Sequence, residues 1–328
     1  MLRCSLSYQK IVQGECRAKG KTKFLLLTML SRSLSFTGTR GLRPDILKSA
    51  KKRRFGIIFS NFGLPKQRFM STVIYPSPIF GPVISRRLGV SLGINLMPAD
   101  GKICTFDCIY CECGLNAQHR PTQKRPSTIE VAEALEAKLK EMSAEGRLPD
   151  VLTFAGNGEP TVHPDFPAII DAVTALRDRY CPQAKVSVLS NATRTGVKEV
   201  REALMKVDNN IQKLDTISPD YIRRINQPTG HYDVAEVIDQ LKAFNGHVII
   251  QTMFMAGQDL DGNDADNTGD AYVTPWLEAV KAIGPEKVMI YTIDRETPDL
   301  NLRKASHEVL DAIARRVTEA GLEVSVSY

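Results

Sequence analysis

From residue 70 onward, short apolar runs alternate with longer stretches of helical period, a pattern that predicts an α/β fold. Runs at 90–96, 151–154, 186–189, 211–217, 248–254, 288–293 and 322–326 read as strands. Helical signal fills the gaps at 127–144, 164–179, 197–207, 219–226, 234–245, 274–283 and 304–320. Ser127 and Glu130 make the S-x-x-E pattern of a capping box, and Gly146 follows that helix as a stop. Pro164 suits a first helical turn, as does Pro275 behind a Thr274 cap. Strands separated by helices of this length imply right-handed crossovers and a mostly parallel sheet. Six or seven such units suit an open partial barrel or a doubly wound sheet and fall short of the eight of a closed barrel. In either architecture, chemistry belongs at the carboxyl ends of the strands.

Composition changes this picture in one place. The 328 residues carry a formal net charge of +6, with 43% hydrophobic and 24% charged residues, as in ordinary globular proteins. No apolar stretch approaches the roughly 20 residues of a membrane span, so no membrane partner is expected. The charge is unevenly placed. Residues 1–69 hold 16 Lys and Arg against only Glu15 and Asp45, whereas residues 70–328 sum to −8. The chain therefore divides into a basic arm over 1–69, disordered or a mis-assigned start, and one catalytic-sized domain over 70–328. The arm is Ser-rich, contains Lys51-Lys52-Arg53-Arg54 and has no sustained period. Three readings fit it: an organelle transit peptide, a nucleic-acid-binding tail, or untranslated sequence ahead of a true start at Met70. The last is favoured, because the body is complete without the arm. The acidic body gives no support to a nucleic acid partner, and a cytoplasmic location is expected, with organelle targeting by the arm left open.

Four of the seven cysteines lie within ten residues, in Cys104-Thr-Phe-Asp-Cys108-Ile-Tyr-Cys111-Glu-Cys113. The run does not read as a disulfide framework, and its thiolates suit a soft metal. Structural zinc is the alternative, but zinc sites usually close two separated C-x-x-C knuckles, and all four thiols here share one loop. Cys113 is either a fourth ligand or a free thiol. The next strand ends in Gly156-Asn157-Gly158-Glu159-Pro160, where glycines permit close backbone approach and Glu159 can accept a charge-assisted bond from an ammonium. The strand after that ends in Ser190 and Asn191, which otherwise read as a turn pair. Lys213 and Asp215 flank an apolar residue and share one strand face, as an ion pair or a polar substrate site. Gln251 and Arg295 are further substrate candidates on later strands. Arg86 and Arg87, just before the first strand, read as phosphate or carboxylate binders or as a solvated pair. The five aspartates within 259–270 begin like a calcium loop, but the Gly is misplaced and the closing Glu is absent, so they read as a solvated lid loop.

The C-x3-C-x2-C spacing of Cys104, Cys108 and Cys111, with Tyr110 before the last cysteine, resembles the signature of the radical S-adenosylmethionine superfamily. The resemblance implies a partial (β/α)6 TIM-like barrel and a [4Fe–4S] cluster on those three cysteines, with one iron left open for S-adenosylmethionine. It implies reductive cleavage of that cofactor to a 5′-deoxyadenosyl radical, which abstracts hydrogen from an unidentified substrate. Gly156, Gly158 and Glu159 then match the Gly-Gly-Glu-like turn that binds the cofactor's amino group, with Asn157 in place of the first glycine of the pair. Ser190 and Asn191 match positions that contact its ribose or carboxylate, and Tyr110 lies near its adenine. A small electron donor such as a flavodoxin or ferredoxin is implied as partner. Within the superfamily, Ser85-Arg86-Arg87-Leu88-Gly89, Gly156 to Pro160, Lys213 to Asp215 and Tyr291 to Arg295 are similar to the uncharacterised bacterial branch related to the tRNA wyosine-base synthase. Alternative activities are RNA-base modification of the wyosine type, glycyl-radical activation of a partner protein, and a non-catalytic, metal-bound nucleic-acid adaptor.

Overall fold

The structure, a computed structural model, describes residues 72–85 and 89–328. The whole basic arm lies outside the described residues, as do Arg86 and Arg87. The described chain opens with a hairpin in which β1 (Ile79–Ser85) pairs antiparallel with β2 (Gly89–Ile94). Then follow β3 (Val151–Phe154), β4 (Lys185–Ser190), β5 (Asn209–Lys213), β6 (Ile249–Met253), β7 (Met255–Gly257), β8 (Lys287–Tyr291), β9 (Leu302–Lys304) and β10 (Val324–Ser327). Eight of these form one open sheet in the order β1-β2-β3-β4-β5-β6-β8-β10, with every pairing after β1–β2 parallel. The short strands β7 and β9 make a separate antiparallel pair. The result is an α/β half-barrel of mostly parallel strands, as the alternation of elements predicts.

The crossovers carry α1 (Thr128–Ala144), α2 (Phe166–Tyr180), α3 (Lys198–Leu204), α4 (Val234–Lys242), α5 (Asp270–Ile283) and α6 (His307–Glu319). The capping box at Ser127 is complete. The Ser127 hydroxyl accepts from the Glu130 amide at 3.3 Å, and the Glu130 carboxylate accepts from the Ser127 amide at 2.6 Å. Several boundaries differ from the sequence expectation. Helix α2 starts at Phe166, behind Asp165, so Pro164 lies outside its first turn, and β10 runs over Val324–Ser327 instead of 322–326. Helix α5 starts at Asp270, with Pro275 inside it, because the Gly269 carbonyl takes the amides of both Tyr272 and Val273. Thr274 is no cap: its hydroxyl receives a guanidinium hydrogen bond from Arg316 at 2.7 Å. Helix α6 starts after Lys304, at His307, because Ser306 caps the Val309 amide and Lys304 belongs to β9. Strand β5 begins two residues early and ends at Lys213; Asn209 donates to the Ser187 hydroxyl at 2.7 Å and Asn210 to the His247 carbonyl at 2.9 Å, which satisfies two polar side chains in the sheet.

Successive strand residues face opposite sides of the sheet. Leu92, Ile94, Leu152, Phe154, Val186 and Val188 pack with Leu135 of α1 and Ile169 of α2 in the main apolar core. The alternate positions Ser91, Thr153, Ser187 and Asn209 line the concave side and bond to one another, with Ser91 and Thr153 hydroxyls 2.8 Å apart. Among the described residues no helix is long and apolar enough to cross a membrane.

Candidate active site

The cysteine loop leaves the carboxyl end of β2 and is pinned to the next strand's end by backbone. The Ile103 amide donates to the Asn157 carbonyl at 3.0 Å, and the Glu159 amide donates to the Ile103 carbonyl at 3.0 Å. Gly158 makes this approach possible. Its φ is +129°, and a Cβ there would lie 1.9 Å from the Ile103 carbonyl oxygen. Asn157, which replaces the first glycine of the expected Gly-Gly-Glu turn, is fully buried. It accepts from the Tyr75 amide at 2.7 Å and donates to the Tyr75 and Pro98 carbonyls at 2.9 and 3.0 Å, so it ties the chain before β1 to this turn.

A second anchor holds the loop from the other side. The chain at 219–226 ends in a π-helical turn, Ile222–Asn226, closed by the Gln227 amide on the Ile222 carbonyl, with Gln227 in left-handed backbone at φ 46°. From this turn the Asn226 and Ile225 carbonyls accept from the Asp107 and Ile109 amides, each at 3.0 Å. Turns of this kind recur at functional sites.

Cys104, Cys108, Cys111 and Cys113 are all free thiols, and three of them surround a buried lysine that sequence reasoning missed. Lys102 donates to the Gly114 carbonyl at 2.7 Å and pairs with Asp107 at 3.6 Å. Burial works against its charge, but the fields of Cys111, Cys104, Cys108 and Asp107 outweigh that and raise its pKa. Cys111 is pulled down to about 6, chiefly by the hydrogen bond from Cys113, with Lys102 helping against burial. Burial pushes Cys108 up to about 11 and Cys104 higher still. The Cys113 sulfur lies 3.4 Å from the Gly156 carbonyl oxygen, and Cys113 is held as a thiol by its bond to Cys111.

Glu159 and Asn191 join the ends of β3 and β4 beside Cys104. The Glu159 carboxylate accepts from the Thr161 hydroxyl at 2.6 Å and the Asn191 amide at 2.7 Å, while burial pushes its pKa up. The Asn191 side chain donates to the Thr105 hydroxyl at 2.9 Å and reaches the Cys104 sulfur at 3.6 Å. Ser190, also buried, accepts from the Ala192 amide at 3.1 Å within the same turn.

Lys213 and Asp215 meet on the concave side, 3.5 Å apart, around Tyr110. The Tyr110 hydroxyl donates to Asp215 and accepts from Lys213 at 3.1 Å and from Asn226 at 2.8 Å. Lys213 also donates to the Tyr291 hydroxyl at 3.1 Å. Burial opposes the Lys213 charge, yet Asp215 holds its pKa up; burial and Asp215 together push Tyr110 well above its ordinary value. Gln251 pairs in register with Lys213 on the neighbouring strand. Arg295 does not join this group; its guanidinium spans Tyr75 at 2.7 Å and Glu112 at 2.8 Å at the surface.

Three soft sulfur donors on one loop, with side-chain amides aimed at two of them, fit an iron–sulfur cluster. Among the described residues, no group of three His, Cys, Asp or Glu side chains is placed to hold a metal ion as the chain stands. The sequence model of the Radical SAM superfamily matches residues 100–265, and the chain belongs to that superfamily of enzymes. Membership implies a [4Fe–4S] cluster and S-adenosylmethionine. The chain is 30% identical over 224 residues to the UPF0026 protein slr1464 of Synechocystis sp., covering 67% of this chain and 77% of that protein. It is 27% identical over 252 residues to a protein named GTPase Obg of Brachyspira hyodysenteriae, covering 76% of this chain but only 34% of that one. Its fold is similar to that of a radical SAM methyltransferase from Sphaerobacter thermophilus, with a TM-score of 0.54 at 15% identity over 73% of this chain and 66% of that one.

Proposed function

We propose that the protein is a radical S-adenosylmethionine enzyme in which Cys104, Cys108 and Cys111 hold the [4Fe–4S] cluster. The observation that carries this reading is the gathering of the three thiols about buried Lys102 at the carboxyl ends of the strands. When bound, the cluster supplies the electron that cleaves S-adenosylmethionine so that a hydrogen atom can be taken from substrate. Gly156, Gly158 and Glu159 present the backbone and carboxylate that receive the cofactor's amino-acid end, with Ser190 and Asn191 beside them. Lys102 offsets the negative charge of the sulfur ligands, and Cys113 stays a thiol outside the ligand set. Tyr110 is spent on Asp215 and Lys213, so it contributes to the cofactor pocket through its ring rather than its hydroxyl. Lys213, Asp215 and Gln251 form a polar, charge-balanced wall on the concave side for substrate, while Arg295 fastens the loop after β8 to the cysteine loop.

The residue pattern at 213–215 and 291–295 supports a place in the branch related to the tRNA wyosine-base synthase, with modification of an RNA base as the activity that branch suggests. The five free cysteines among the described residues support a reducing compartment such as the cytoplasm, and a flavodoxin or ferredoxin as electron donor. The experiment is anaerobic reconstitution followed by dithionite and S-adenosylmethionine. Formation of 5′-deoxyadenosine is the expected result; an intact cluster with no such product contradicts the reading, and bound zinc in place of iron and sulfide points to a metal-bound adaptor.

A further inference from the structure

Asn226 sits between two systems that the sequence separates widely. Its side-chain nitrogen lies 3.7 Å from the Cys108 sulfur, 2.8 Å from the Tyr110 hydroxyl and 2.9 Å from an Asp215 carboxylate oxygen. The amide has two N–H groups, so one serves the Tyr110 and Asp215 oxygens while the other faces the sulfur. Asn226 is buried. Its place is fixed by backbone: it ends the π-helical turn, and its own carbonyl holds the Asp107 amide of the cysteine loop.

We propose that Asn226 is a positioning residue that sets the reduction potential of the cluster by donating a hydrogen bond to Cys108, with Asp215 and Tyr110 locking its amide in that orientation. The inference rests on the reading that Cys108 is a cluster ligand. A donor on a ligand sulfur stabilises the extra negative charge of the reduced cluster and so raises its potential. Asp215 contributes by geometry: its second oxygen is fixed by the Met253 amide at 2.9 Å, which leaves the first aimed at Asn226 and Tyr110.

The test is an EPR-monitored redox titration of the reconstituted holoprotein, with dithionite delivering one electron per cluster, for the native chain and Asn226→Leu. The variant's midpoint is expected to be more negative than that of the native protein. A variant that binds four irons and titrates at the native midpoint overturns the proposal. A second measurement decides the matter even if the variant does not assemble a cluster. The native holoprotein, grown with 15N-asparagine and reduced, should show by ENDOR coupling to two asparagine side-chain nitrogens, those of Asn191 and Asn226. No coupling overturns the proposal, and so does a single coupling that disappears in Asn191→Leu. Absence of any reduced-cluster signal in the native protein sinks the underlying reading instead, so the two failures are distinguishable.

Discussion

The two faces of the sheet solve different problems with the same strands. The helix-facing side is mostly apolar, from Leu92 and Phe154 to Val188 and Val288, with Asn210, Gln212 and Thr252 as polar exceptions, and gains stability chiefly by burial. The concave side is also largely buried, yet it carries Ser91, Thr153, Ser187, Asn209 and Lys213 and satisfies each by a specific partner. The first face tolerates any residue of suitable size, whereas the second depends on orientation. Chemistry sits on the second, where charged and polar groups at the carboxyl ends of the strands fix one another's positions.

The largest expected effect separates the two faces by what each loses. Asp215→Ala leaves Lys213 buried without its counter-charge and should cost about 3–5 kcal/mol. Replacing both, as Lys213→Met with Asp215→Leu, should recover most of that stability while abolishing turnover. Leu135→Ala on the helix side should cost ~2–5 kcal/mol but leave the iron content of the folded protein unchanged. Urea titrations and iron analysis of the same preparations check all three. If the double variant stays as unstable as Asp215→Ala, orientation on the concave side matters more than charge balance.

A smaller effect concerns pH. Buried His163 accepts from the Asp165 amide at 3.1 Å through Nδ1 and donates Nε2–H to the Pro126 carbonyl at 2.9 Å. This pair of bonds needs the neutral ring. Burial lowers its pKa below 6.5, so on acidification the unfolded chain takes up the proton first. The stabilisation is full above pH 6.5 and is lost as pH falls from there through the folded-state value. Between pH 7 and pH 5 the native protein should therefore lose more stability than His163→Gln, read as the difference in urea midpoints. Equal losses would assign no role to this ring.

The strand-and-helix alternation was legible because most of the parallel strands contain a short apolar run, as at 151–154, where the expected and observed limits coincide; β5, Asn-Asn-Ile-Gln-Lys, does not, and its limits were misplaced. Strands β1, β7 and β9 were missed: β7 and β9, with three residues each, are too short for any period to show, and the apolar pattern of β1 is interrupted by Gly81-Pro82. The cysteine triad was legible from spacing, since its ligands lie in one loop. Lys102 carried a weak signal, a cation two residues before Cys104, that its burial makes meaningful. Asn226 carried none, because it meets Cys108 only through the fold, 118 residues away along the chain. Asn157 departed from the glycine expected in its turn, and its three bonds to Tyr75 and Pro98 explain why a side chain is kept there.

The central claim is that three cysteines, and not four, hold the cluster. Iron and sulfide analysis after anaerobic reconstitution tests it most directly, applied to the native chain, Cys108→Ala and Cys113→Ala. The account predicts about four irons and four sulfides per chain for the native protein and for Cys113→Ala, with loss of the cluster in Cys108→Ala. Loss in Cys113→Ala equal to that in Cys108→Ala, or a full cluster in Cys108→Ala, would contradict it.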